Sequence, residues 1–459
     1  MKNRSIILLL VVLIVGAWLA AGYWVLSYGI DNDNTLSPSP TPTSDANQNP
    51  DNNNDNNDPV IDVTPTPEPP ETEENLTIRR SVMLEQAEML LQGYFYEEAL
   101  VLLDEDETLI NNETQKFKET INEAIENLVL YEGEVKHIFF HTLIIYPESI
   151  YQNLTTPSST YAYFLYQREL ERALPQLLER DFILFDVNDV FRTATDGNMQ
   201  LKDIYLPPGK KPLILSIDDP HYLNHRDSEA SGLAFPRKIV LDSDGELAVE
   251  IKTSTDYVLS YDGDVFLMVD NFVKKHPEFS WRGAKGIIAA TGFPGLFGYT
   301  LAELESGNEQ ITNNAIDIAD KIKSNGWLFA NHSFTHNNGS TGRASQFWGP
   351  NSDPGLIRYD VGRWNDVVKP ILGETNLFIA PGGYLLRGNS MQVLVDNGYN
   401  MYFTVDASQN ITGLGTPTVV MGRIEISWYS LVRMADILNR DFFNVLNVID
   451  SHRPPLSLG

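Results

Sequence analysis

The chain has 459 residues, room for two or three domains. Its 62 acidic residues against 33 basic leave a net charge of −29, which argues against a nucleic-acid partner, because phosphate backbones need a concentrated Lys/Arg footprint. The absence of cysteine excludes disulfides, iron–sulfur clusters, thiol nucleophiles and thiolate zinc sites, so any metal must be held by His, Asp or Glu.

The first element is an uncharged run from Ile6 to Leu26, 21 residues, long enough to cross a bilayer core of ~30 Å as a helix. Lys2 and Arg4 precede it, Asp31 and Asp33 follow it, and Trp18, Tyr23, Trp24 and Tyr28 gather toward its far end. That charge order predicts a single-pass cell-membrane anchor over residues 1–30, with a cytoplasmic N-terminus and everything after about residue 30 extracellular. A cleaved signal peptide, giving a secreted form, is the alternative.

Residues 31–75 hold eleven acidic residues and no Lys or Arg in 45 positions. Such a segment buries too little apolar surface to offset its ordering entropy, and is expected to be a disordered linker. As a flexible coil it would span roughly 5–6 Å × √n, somewhat under 40 Å. Residues 76–132 carry a helical pattern: Met83, Ala87, Leu90 and Leu91 share one face, Ala99, Leu102 and Leu103 resume it, and Gly93-Tyr94 marks the turn. AEMLLQGYFYEEALVLLDE has the look of one tetratricopeptide-type hairpin, with a third helix near 116–130, either a protein-contact module or a packing collar for the next domain.

From residue 133 to 459 short apolar runs alternate with amphipathic helices. The expected strands are HIFFHTLII, DFILFDV, KPLILSI, AKGIIAAT, WLFAN, NLFIA, MYFTV and VVMGRIEI. This alternation predicts parallel strands in a barrel or a doubly wound sheet. Asp218-Asp219 follows KPLILSI, His332-Ser-Phe-Thr-His336 follows WLFAN, Pro381-Gly382-Gly383-Tyr384 follows NLFIA, and Asp406 follows MYFTV. In a β/α barrel those strand ends meet on one face.

Asp219, His332 and His336 would supply one carboxylate and two imidazoles, leaving positions open for water and substrate as a catalytic metal requires. Asp218, diverging from Asp219 along the strand, would approach the attacking water as general base. Backbone amides near Gly382–Tyr384 would face a developing oxyanion. This describes metal-assisted hydrolysis of an acyl group. Ser333 stands where the zinc-protease H-E-x-x-H motif needs Glu, which argues against a protease.

In these motifs the sequence resembles the polysaccharide deacetylases, carbohydrate esterase family 4, over roughly Val135 to Asp450. SIDD (216–219) is similar to their T-F-D-D motif, HSFTH to their H-[ST]-x-x-H, APGG (380–383) to the groove-wall motif, and Asp406 falls where the fourth motif begins. The resemblance implies a distorted, incomplete (β/α) barrel that removes N- or O-acetyl groups from a polysaccharide. It also implies one divalent metal, zinc foremost, with cobalt, nickel or iron also suited to such ligands. The sequence departs from the family in several places. Ile379 stands where the family has the arginine that orients the base, Gly382 replaces an aromatic, and no tryptophan follows Asp406. VVMGRIEISWYSL lacks the late histidine that serves as general acid, leaving His452, His221 and His225 as candidates. A catalytically impaired metal- or glycan-binding surface adaptor is therefore the alternative function. RKIVLDSDGELAVEI reads as an inserted β-hairpin around Asp244-Gly245.

Overall fold

The computed structural model describes residues 72–148, 159–223, 235–253, 255–336, 348–349 and 352–453. The anchor expected at 6–26, nearly all of the linker, and His225 lie outside these residues. Among the described residues no helix is long and apolar enough to cross a membrane.

Contacts divide the chain into two units, residues 1–83 with 104–109, and 84–103 with 110–459. Three helices come first: α1 (Glu73–Gln92), α2 (Tyr96–Asp104) and α3 (Asn112–Glu126). α1 thus opens at Glu73, inside the last residues assigned to the linker. Within the larger unit, the Gly93-Tyr94 turn is tied to residues 278–282. Tyr94 stacks on Trp281 with ring centroids 4.9 Å apart, its hydroxyl donates to the Glu278 carbonyl at 2.9 Å, and the Arg282 amide donates to Gly93 O at 3.0 Å.

All eight expected strands are present, and seven of them close a parallel ring. They are β1 (Lys136–Phe140), β3 (Lys211–Asp218), β7 (Gly286–Ala290), β8 (Trp327–Asn331), β9 (Leu377–Ile379), β10 (Met401–Val405) and β11 (Val419–Glu425). Hydrogen bonding runs β1-β3-β7-β8-β9-β10-β11 and back to β1. The eighth, β2 (Phe182–Leu184), pairs with the first three residues of β3 on the edge that β7 takes higher up, and so stays out of the ring. The barrel is therefore short of one strand yet closed. Its thinnest joint is β8–β9, held in register by the single pair Asn331↔Phe378.

Strand parity sorts the side chains. Ile138 and Phe140 of β1, Leu213, Leu215 and Ile217 of β3 and Ile424 of β11 pack into one core with helix residues, among them Leu170, Leu174 and Leu177 of α4 (Gln167–Glu179) and Val269 of α5 (Val265–Lys275). The alternate residues, His137 and Phe139, Ser216 and Asp218, Met421 and Arg423, turn into the barrel. Burial of the outer set, at about 25 cal/mol per Å² of apolar surface, is what drives the ring to close.

The hairpin expected around Asp244-Gly245 is present as β4 (Pro236–Leu241) and β5 (Leu247–Lys252), and a third antiparallel strand β6 (Tyr257–Ser260) extends it. Ile239, Leu247, Val249 and Ile251 join the main core, so the insertion is a packed part of the barrel domain.

Candidate active site and metal centre

Asp218 is the last residue of β3, inward-facing and 3% exposed. Asp219 follows with φ 60°, a left-handed conformation that Asp tolerates better than most residues. Two consecutive carboxylates would diverge along a straight strand; this turn brings both to one imidazole. His332 Nε2 lies 3.8 Å from Asp218 Oδ2 and 4.0 Å from Asp219 Oδ2. His336 Nε2 lies 3.0 Å from Asp219 Oδ2. Ligand atoms of Asp219, His332 and His336 all fall within 4.8 Å of one another, a group that could hold a metal ion.

The two histidines sit on a tight loop after β8. Ser333 (φ 63°) and His336 (φ 43°) are both left-handed, and the His336 amide donates to Ser333 Oγ at 2.7 Å. Strain of this kind persists where the surroundings over-determine it. Here that surrounding is Asp360 of α6 (Pro354–Val367), fully buried, which accepts from the Phe334 amide at 2.7 Å, the Thr335 amide at 2.9 Å and Thr335 Oγ1 at 2.7 Å. Burial lifts the Asp360 carboxyl to about 6 against the pull of those donors.

The donor set suits a divalent cation. The His332 Nδ1 is 2.8 Å from the Ile379 carbonyl; donation there puts the proton on Nδ1 and leaves the Nε2 lone pair free for an ion. Burial works against ionisation of Asp219, but His336 and His332 outweigh it and hold the carboxyl far below the usual range. Burial likewise lowers His332, while Asp219 raises His336 against its own burial.

The arginine missing at Ile379 is supplied by another strand. Arg423 of β11, fully buried, reaches across the Phe139 ring (4.1 Å to its centroid) to grip Asp218 with both guanidinium arms, Nη1 to Oδ1 at 2.8 Å and Nη2 to Oδ2 at 3.0 Å. Nη1 also reaches Ser216 Oγ at 2.9 Å. Burial would raise the Asp218 carboxyl, but Arg423, with His332 and His141, holds it below the ordinary carboxylate range.

A histidine absent from the sequence-derived candidates lies at the same rim. His141 follows β1, which pairs with both β3 and β11, and its Nδ1 is 3.3 Å from Glu425 Oε1 at the end of β11. Burial would lower it, but Glu425, Asp218 and Asp219 prevail and raise it to about 9. A signal for these residues exists in the sequence. Arg423 and Glu425 share one parity in an otherwise apolar run, and His137, Phe139 and His141 share one in theirs.

His221, His225 and His452 fare differently. His221 is 5% exposed with Nε2 4.0 Å from Asp219 Oδ1, and burial lowers it to about 4, too low for the imidazolium form at neutral pH. His225 is not among the described residues. The His452 side chain is 85% exposed and turns to Asp450 at 3.2 Å, with no ion pair to the Asp-His-His group among the described residues. It is Arg453 that buries itself in this tail, gripping Glu169 through Nε and Nη2 at 2.7 and 2.6 Å.

Pro381–Gly383 form a 3-10 turn directly after β9. Gly383 has φ 73°, and a Cβ there would sit 2.5 Å from Val405, so glycine is required. Its amide donates to the Ala380 carbonyl at 2.9 Å and is thus engaged within the turn, not turned to an oxyanion. Tyr384 is 43% exposed on the rim. Asp406 caps its own turn, accepting from the Ser408 amide at 3.0 Å and Ser408 Oγ at 2.7 Å.

No protein-family model and no curated protein matches the chain. Among solved structures it is similar to IcaB from Ammonifex degensii, at 15% identity and TM-score 0.36 over 64% of this chain and 93% of that one. It is also similar to the Streptococcus pyogenes deacetylase PplD in complex with acetate, at 13% and 0.34 over 67% and 98%. A de-N-acetylase from Aggregatibacter actinomycetemcomitans is similar at 10% and 0.36 over 64% and 95%.

Asp360→Ala leaves two buried amides without acceptors, each costing about 1–3 kcal/mol. We expect roughly 2 kcal/mol or more of lost stability in urea denaturation, with weaker metal uptake. An unchanged midpoint would show that the loop does not depend on this carboxylate.

Proposed function

We propose that the protein is a metal-dependent hydrolase that removes acetyl groups from a polysaccharide. The observation that carries this reading is the meeting, at the C-terminal ends of β1, β3, β8 and β11, of three groups: an ionised carboxylate fixed by arginine, an Asp-His-His cluster, and a protonatable histidine backed by its own carboxylate. The arrangement separates base from acid by environment, as hydrolysis of an acyl group needs.

Asp219, His332 and His336 would hold a divalent cation, which when bound polarises the acetyl carbonyl and lowers the pKa of water beside it. Asp218 keeps acceptor capacity beyond its two bonds to Arg423, and from a fixed position takes the proton of the attacking water. His141, kept protonated by Glu425, gives its proton to the departing sugar nitrogen or oxygen. Such a transfer typically contributes 10²–10⁴-fold, and a histidine so placed favours the enzyme reading over that of an impaired binder. Export through the 6–26 segment would place this chemistry outside the cytoplasm, on a cell-wall glycan or exopolysaccharide.

Asp218→Asn should abolish acetate release from acetylated glycans while the protein still takes up zinc. If metal-loaded wild-type protein releases no acetate from N- or O-acetylated glycans of several classes, the enzyme reading fails. Glu425→Gln removes the charge that raises His141. The acid form is present below the His141 pKa and lost above it, so the alkaline limb of the rate–pH profile should move to lower pH. A limb that stays in place would detach His141 from the reaction. The full chain should partition with membranes and become soluble on deletion of residues 1–30; a soluble full chain would refute the anchor.

A further inference from the structure

His221 is buried beside the candidate metal group, yet the mechanism above gives it no part. The Asp219 carboxylate is approached from two directions. His332 and His336 both come to Oδ2, at 4.0 and 3.0 Å, whereas His221 Nε2 faces Oδ1 at 4.0 Å. Asp219 Oδ1 is buried with no hydrogen-bond partner, and so is His221 Nδ1. With Oδ2 given to a cation, Oδ1 remains a buried acceptor, and buried acceptors are rarely left unsatisfied. The 4.0 Å gap is longer than a hydrogen bond, and closing it to hydrogen-bond length takes about 1 Å of side-chain movement. A neutral imidazole carries one proton. Placing it on Nε2, toward the carboxylate, leaves Nδ1 with a lone pair alone, which is less costly to bury unpaired than an N–H.

The backbone holds the ring in this place. The His221 amide donates to the Asp219 carbonyl at 2.8 Å and the Leu223 amide to the His221 carbonyl at 2.8 Å. Next along the chain, Tyr222 (φ 60°) sends its hydroxyl to the buried Asp264 at 2.6 Å.

The geometry points to His221 as a positioning residue for the metal centre: it donates Nε2–H to Asp219 Oδ1, orients that carboxylate and strengthens its hold on a divalent cation, without itself becoming a ligand. This rests on the metal reading proposed above. Partners of this kind, placed behind a ligand, typically account for 10–100-fold in metal affinity.

The test measures zinc affinity by chelator competition, and the absorption spectrum of the cobalt(II)-loaded protein, on the full chain. His221→Phe keeps the ring's bulk and removes the donor; zinc binding should weaken 10–100-fold, with the cobalt spectrum still reporting the same ligand set. His221→Gln restores an N–H donor and should recover affinity to within about threefold of wild type, which also guards against a Phe variant that merely folds poorly. Unchanged affinity in His221→Phe overturns the inference while leaving the Asp-His-His site intact. A cobalt spectrum that loses one nitrogen ligand in both variants also overturns it, by making His221 a direct ligand. Failure of wild-type protein to bind zinc or cobalt at all overturns both this inference and the metal reading beneath it.

Discussion

The site is organised around one buried ion pair. Arg423 and Asp218 are both withdrawn from water, and neither charge would be tolerable there alone: breaking such a pair by removing one partner typically costs about 3–5 kcal/mol. The bidentate geometry satisfies both carboxylate oxygens at once and fixes the plane of Asp218. Because Arg423 lies on β11 and Asp218 on β3, with Phe139 of β1 between them, the pair also clamps three adjacent strands at the rim. The acceptor role of Asp218 depends on this contact, and His141 follows the middle one of the three strands that it spans.

Much of this was legible in the chain. The β–α alternation announced parallel strands, and the positions of Asp219, His332 and His336 just after strand ends announced a common face, because strand direction alone decides which end a loop leaves from. What could not be read was adjacency. Nothing in VVMGRIEI says that the last ring strand lies beside the first, and only that neighbourhood puts Arg423 against Asp218 and Glu425 against His141. The linear order of the motifs points to a late histidine, whereas the ring order brings an early one, His141, beside Glu425. His452 shows the converse: it occupies a plausible place in the sequence, but Arg453 anchors that tail and leaves its neighbour in solvent.

Two further carboxylates were invisible for a different reason. Asp360 and Asp264 sit in amphipathic or loop segments where an acidic residue is unremarkable. In the structure each is fully buried and gathers donors from loops distant in sequence: Phe334 and Thr335 for Asp360, Thr142 and Tyr222 for Asp264. Asp264 thereby ties the segment after β1 to the segment after β3, which carry His141 and Asp219. Left-handed backbone at Asp219, Tyr222, Ser333 and His336 is sustained by these interior anchors.

The joint between β8 and β9 has only one paired position, and the His332 loop and the Pro381–Gly383 turn both leave the barrel there. The contact between His332 Nδ1 and the Ile379 carbonyl therefore serves as a missing rung of the sheet, made by a side chain where the backbone ladder stops. One imidazole thus faces two ways, its Nε2 toward the carboxylates of the site and its Nδ1 across the seam of the barrel.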